Sequence, residues 1–168
     1  HIGDILYRAY RNDKQVFVVG NGGSASTASH IAADLAKNTI SAHLHRFRIT
    51  SLTDNVATIT ALANDIGYDS IFSEQLMNHI RPGDVLMVVT GSGKSPNVLK
   101  AMHYARSQSA QVVGLLGFDG GPARDLCDVA LIAPSDDYGV IEDIHLVINH
   151  VLVSYFAARL ERERPWMA

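Results

Sequence analysis

The stretch VFVVGNGGSASTASH, Val16 to His30, decides how this chain folds. Four apolar β-formers run into Gly20-Asn21-Gly22-Gly23-Ser24, and an Ala/Ser-rich segment of helical character follows at once. A strand, a glycine turn and a helix N-terminus make an anion site, because unpaired backbone N–H groups and the positive end of the helix dipole converge there. Working outward, strand-length apolar runs recur at Gln15–Val19, Phe47–Leu52, Val85–Thr90, Gln111–Leu116 and Val129–Ile132. Helix-patterned stretches lie between them, at Ser26–Lys37, Asn55–Ala63, Ile71–His79 and Pro96–Arg106, and a long one, Val140–Arg162, closes the chain. That alternation predicts an α/β fold with a mainly parallel sheet, whose ligands sit beyond the carboxyl ends of the strands.

Composition narrows the classes. The 168 residues, 47% hydrophobic and 18% charged, suit one compact domain. A formal net charge of −3 with scattered basic residues offers no broad face for nucleic acid. The one cysteine, Cys127, allows neither a disulfide framework nor a cysteine zinc motif, and predicts a reducing, cytoplasmic home. Ile144–Leu160 is interrupted by His145, Asn149 and His150 and falls short of the roughly 20 apolar residues of a membrane span, so none is expected.

Three chemistries compete for the glycine loops. Gly20-Asn21-Gly22-Gly23-Ser24-Ala25 satisfies the dinucleotide pattern G-x-G-x-x-A, but the nearest acidic residue closing the second strand, Asp54, lies well beyond the expected 20 positions. Thr90-Gly91-Ser92-Gly93-Lys94-Ser95 ends like a P-loop, yet Val88 stands where Walker A requires its first glycine. No nucleotide cofactor is expected. A small phosphate ester needs only backbone N–H groups and hydroxyls, which Ser24, Thr90, Ser92 and Ser95 supply. Small residues that merely permit tight turns are the structural alternative.

VGNGGSASTASHIAADL, LANDIGYDSIFSEQL, PGDVLMVVTGSGKSPNVLKAM and EDIHLVINHVL, in that order, resemble the SIS phosphosugar-binding family and within it the phosphoheptose isomerase branch. The resemblance spans nearly the whole chain. It implies a three-layer, five-stranded parallel sheet in flavodoxin-like order and one SIS domain over residues 1–168. It also implies a homo-oligomer, commonly a tetramer, and the absence of the helix usually found before the first strand. By the same resemblance, sugar-phosphate contacts are expected at Asn21, Gly22, Ser24, Asn64, Asp65, Thr90, Gly91, Ser92 and Ser95. Thr90 and Gly91 stand where the isomerases more often carry Ser and Thr.

His30 and Asp34, at i and i+4, share one helix face, while Glu142 and His150 stand slightly over two turns apart on the last helix with His145 between them. By resemblance His30, Asp34, Glu142 and His150 align with the metal-ligating and catalytic positions of the isomerases, where His, Glu, Gln and His are usual. Zinc is the expected ion, since imidazole and carboxylate suit it, and Glu142 should tighten it. The implied reaction is aldose–ketose isomerisation through an enediol, with Asp34 as base and His150 as acid/base partner. Asp34 is one methylene shorter than Glu, and a misplacement of about 1 Å can cost roughly a hundredfold in rate. The segment APSDDYGVIEDIH is about one residue short, leaving Asp136 or Asp137 to supply the acidic residue before the last helix. A second function fits the same loops: a non-catalytic SIS protein that binds a phosphosugar or a protein partner, such as a replication initiator, and regulates.

Overall fold

The computed structural model describes residues 1–41 and 44–163. Its five strands are β1 (Val16–Val19), β2 (Ile49–Ser51), β3 (Val85–Thr90), β4 (Gln111–Gly117) and β5 (Val129–Ala133). All neighbours pair parallel, in the order β2-β1-β3-β4-β5, the flavodoxin-like arrangement. Every residue of β1 and β3 is buried. Central strands of a parallel sheet are covered on both faces, which is why they read as unbroken apolar runs. At the edge, β2 is shorter than the apolar run suggests, because Arg48 and Thr50 face solvent.

Alternation along the strands divides the core. Val16, Val18, Met87, Val89, Val113 and Leu115 point to the face covered by α1 (Ile2–Arg11), α2 (Gly23–Asn38) and α7 (Tyr138–Arg162). Phe17, Val19, Leu86, Val88, Val112 and Leu116 point to the face of α4 (Ile71–His79), α5 (Pro96–Ser107) and the four-residue α6 (Ala123–Leu126). The remaining helix, α3 (Val56–Asp65), buries none of its residues and joins α4 through a 3-10 turn, Tyr68–Ser70.

A helix does precede the first strand, contrary to the expectation above. Ile2, Ile5, Leu6, Ala9 and Tyr10 recur at helical spacing and bury one stripe of α1 against the sheet. α7 has 25 residues, and an 18-residue window within it reaches a mean hydropathy of 1.3, enough by length and composition to cross a bilayer. One face of it instead packs into the core through Ile141, Leu152, Phe156 and Leu160, and carries His145 and Asn149 fully buried among them.

This topology positions the site. β1 and β3 are adjacent, but the chain leaves them toward opposite sides of the sheet, so the loops after Val19 and Thr90 meet at the switch point where α/β sheets bind ligands.

Candidate active site

The first loop turns at Gly22, whose φ of 57° is a left-handed conformation that favours glycine, and passes straight into α2. The second passes into α5 with Pro96 at its first turn. Neither helix is closed by a side-chain cap, whereas Asn55 caps α3 and Asp137 caps α7. Within the second loop Thr90 Oγ1 accepts from the Gly93 N–H at 3.2 Å and Ser92 Oγ from the Lys94 N–H at 3.3 Å. A hydroxyl that accepts still has its own O–H to donate, so both remain available to a phosphate oxygen. Ser92, Lys94, Phe118, Asp119, Asp136 and Tyr138 line an adjoining cavity of about 450 Å³, the size of a small-molecule site. Of the two acidic residues before α7, Asp137 is spent on capping and Asp136 faces the cavity.

A strut that sequence reasoning missed ties the two loops together. Asn21 and Asn97 exchange reciprocal amide hydrogen bonds at 2.9 Å, and the Tyr68 hydroxyl donates to Asn21 Oδ1 at 3.1 Å. Asn21, expected on the substrate, thus spends Oδ1 and one N–H on the scaffold and keeps its second N–H. Asn97 is 1% exposed, and a lone Asn after Ser95-Pro96 gave no sign of a partner 76 residues away. At the exposed end of α3, Asn64 donates to Asp65 at 2.8 Å. Among the described residues no hydrogen bond joins either to the loops. Gly91, where the resemblance leads to Thr, is packed by Tyr138: a Cβ added there would stand 2.9 Å from the tyrosine ring.

Two turns into α2 the second constellation assembles. His30 Nε2 lies 3.1 Å from Asp34 Oδ2 and His150 Nε2 lies 3.9 Å from the same oxygen, so α2 and α7 bring both imidazoles to one carboxylate. The three ligand atoms all fall within 4.8 Å of one another. A tetrahedral ion with bonds of about 2.0–2.2 Å sets its donors roughly 3.4 Å apart and, in catalytic sites, leaves a fourth position open. Spacing and donor chemistry therefore fit a divalent metal, making His30, Asp34 and His150 a possible metal site. Asn38 donates to Asp34 Oδ1 at 3.1 Å and Asn149 to Oδ2 at 2.9 Å.

Within the single chain Glu142 stands apart from these three, the fourth residue of the expected ligand set. Its carboxylate lies against Gly23, where an added Cβ would collide with both oxygens. The reason is axial: eight residues at about 1.5 Å rise put Glu142 roughly 12 Å from His150 along α7. Glu142 thus sits beside the first turn of α2, an end favourable to negative charge. His145, between Glu142 and His150, turns into the core. Burial pushes its pKa below the ordinary value, so the ring is neutral and its Nε2 donates to the Leu116 carbonyl at 3.0 Å. Cys127 is no candidate nucleophile, since burial first and then Asp128 push its thiol up to about 11.

A parallel 2-1-3-4-5 sheet with hydroxyl-bearing glycine loops at its switch point defines the class, a SIS domain, and the SIS domain family model matches residues 1–117. The phosphoheptose isomerase of a Nitratiruptor species is 38% identical over 150 residues, covering 89% of this chain and 80% of that one. That of Pelobacter propionicus is 39% identical over 147 residues, covering 88% and 77%. Among solved structures, the phosphoheptose isomerase of Francisella tularensis superposes with a TM-score of 0.88 at 31% identity, covering 94% of this chain and 83% of its own. The chain belongs to the phosphoheptose isomerase family of SIS-domain sugar-phosphate isomerases.

The hydroxyls carry a direct expectation. Ser92→Ala should weaken binding of a sugar phosphate by about tenfold, the worth of one hydrogen bond to a charged group. The melting temperature should move little, because the bond from the Lys94 N–H to Ser92 Oγ is long and exposed, where water can replace it. Calorimetric titration checks this, and equal affinities would remove Ser92 from the phosphate site.

Proposed function

We propose that residues 1–168 form one SIS domain that interconverts sedoheptulose 7-phosphate and an aldoheptose 7-phosphate, supplying surface polysaccharide synthesis from the cytoplasm. The observation that carries this reading is the convergence of His30, Asp34 and His150 on the helix that leaves the first glycine loop and on α7. His30 lies seven residues after Gly23, roughly 10 Å along the helix, a separation comparable with an extended seven-carbon chain.

The loop hydroxyls and helix N-termini bind the phosphate and orient the sugar. Asp34 takes a proton from C1 of the ketose. The C–H electron pair becomes the C1=C2 double bond, and the carbonyl electrons move to O2, which takes a proton from His150. In the second half the O1 proton passes to His150, the carbonyl forms at C1, and Asp34 returns its proton to C2, so the chain ends as it began. His30, Asp34 and His150 would hold a zinc ion, which when bound supplies Lewis-acid stabilisation of the enediol oxygens.

A homotetramer is part of the proposal. Val147 and Val151 lie one turn apart on α7 at 58% and 57% exposure, and α3 leaves Val56 69% exposed, apolar surface that subunit contacts would cover. Light scattering tests the oligomer. The activity is tested by incubating the protein with sedoheptulose 7-phosphate, with and without zinc, and following aldose formation. No aldose under either condition would sink the reading.

A further inference from the structure

α7 carries one buried residue that its packing does not call for. Ile141, Leu152, Phe156 and Leu160 fill the core face, yet Asn149 stands among them fully buried. Its Nδ2 donates to Asp34 Oδ2 at 2.9 Å, and since a carboxylate only accepts, that bond sets which way the amide points. Asn149 Oδ1 then has no hydrogen-bond partner among the described residues. An unpaired buried carbonyl destabilises the fold, and a leucine of similar volume would avoid it. The amide therefore costs stability, and the one thing it holds is Asp34.

Asp34 has need of holding. Its side chain is 18% exposed, and among the described residues its other oxygen accepts a hydrogen bond only from Asn38, at an exposed position on the same helix. His30, four residues back, contacts the carboxylate from within α2, whereas Asn149 reaches it from α7. A donor on the second helix sets the carboxylate's position relative to His150, the next residue of that helix. We propose that Asn149 is a positioning residue: it anchors Asp34 Oδ2 so that the carboxylate faces both imidazoles at once. This rests on the proposed isomerase reading and adds a residue to it. Partners of this kind around a ligating carboxylate are worth about 10–100-fold in metal affinity or activity.

The test is Asn149→Leu in the full chain, read three ways. Zinc affinity, measured by competition with a chromophoric chelator, should fall about 10–100-fold. kcat on sedoheptulose 7-phosphate should fall by a similar factor while KM holds, because the phosphate loops are untouched. The melting temperature of the metal-free protein should hold or rise, whereas a merely structural asparagine would lower it and leave kcat alone. Asn149→Ser, smaller and too short to reach Asp34, should lose zinc affinity and kcat alike and serves if the leucine variant does not fold. A folded Asn149 variant with wild-type zinc affinity and kcat overturns the proposal. If the wild type binds zinc but turns over no sugar phosphate, the isomerase reading fails and the affinity arm still decides for Asn149. A wild type that does neither overturns both.

Discussion

Replacing Asp34 by Asn is expected to lower kcat by about 10²–10⁴-fold, the range over which a positioned general base acts. The substitution changes little in shape and leaves an oxygen for the Asn149 amide, so the α2–α7 contact persists. What disappears is a group able to take a carbon-bound proton, together with the negative charge lying 3.1 Å from His30 Nε2 and 3.9 Å from His150 Nε2. Sugar-phosphate affinity should survive, because the hydroxyls proposed to bind phosphate stand on the second loop and at Ser24, ten residues or roughly 15 Å back along α2. Rate of aldose formation and calorimetric affinity, measured on one preparation, separate the two effects. A variant retaining more than a tenth of the wild-type kcat would show that another group removes the proton.

The second large effect concerns metal. A ligand bound only by the native state adds RT ln(1 + [L]/Kd), about 4 kcal/mol at a thousandfold excess over Kd. For a chain of this size each kcal/mol moves the melting temperature by roughly 2–4 °C, so zinc should raise it by about 10 °C and a chelator should reverse the rise. His150→Ala removes the donor contributed by α7, leaving only His30 and Asp34 from α2, and should abolish most of that shift along with turnover. Glu142→Gln should leave the shift in place, since Glu142 lies against Gly23 and outside the three-residue group. Melting curves of the three proteins with zinc and with chelator provide the check. A melting temperature indifferent to zinc in the wild type would remove the metal from the proposed site.

The sheet was legible because its central strands, β1, β3 and β4, are internal. β3 matches its apolar run residue for residue, and burial on both faces leaves no polar position to blur the pattern. The glycine loops were legible for a similar reason: turn chemistry is local, and a strand running through Gly22 into a helix has few alternatives. Legibility failed where a short amphipathic stretch, such as α1, mixes its apolar stripe with Asp4, Arg8 and Arg11. Alignment alone likewise gave no sign that Glu142 lies against Gly23 within the chain.

His30 and Asp34 illustrate what the sequence by itself determined. Backbone hydrogen bonds impose 3.6 residues per turn, so i and i+4 must share a face, and the 3.1 Å contact between them follows from spacing alone. α7 illustrates what only the tertiary structure decided. Glu142, His145, Asn149 and His150 are all polar interruptions of one apolar helix, and helical spacing puts His145 and Asn149 on the stripe of Ile141, Leu152, Phe156 and Leu160 without naming the partner of any of the four. Their fates differ because side-by-side packing with α2 sets an axial register that no local spacing encodes. In that register Glu142 lies by Gly23, His145 enters the core to bond Leu116, and Asn149 and His150 meet Asp34. The reach of a side chain along its own helix is set by covalent geometry and backbone hydrogen bonding; its partner on another helix is set by which apolar faces bury each other.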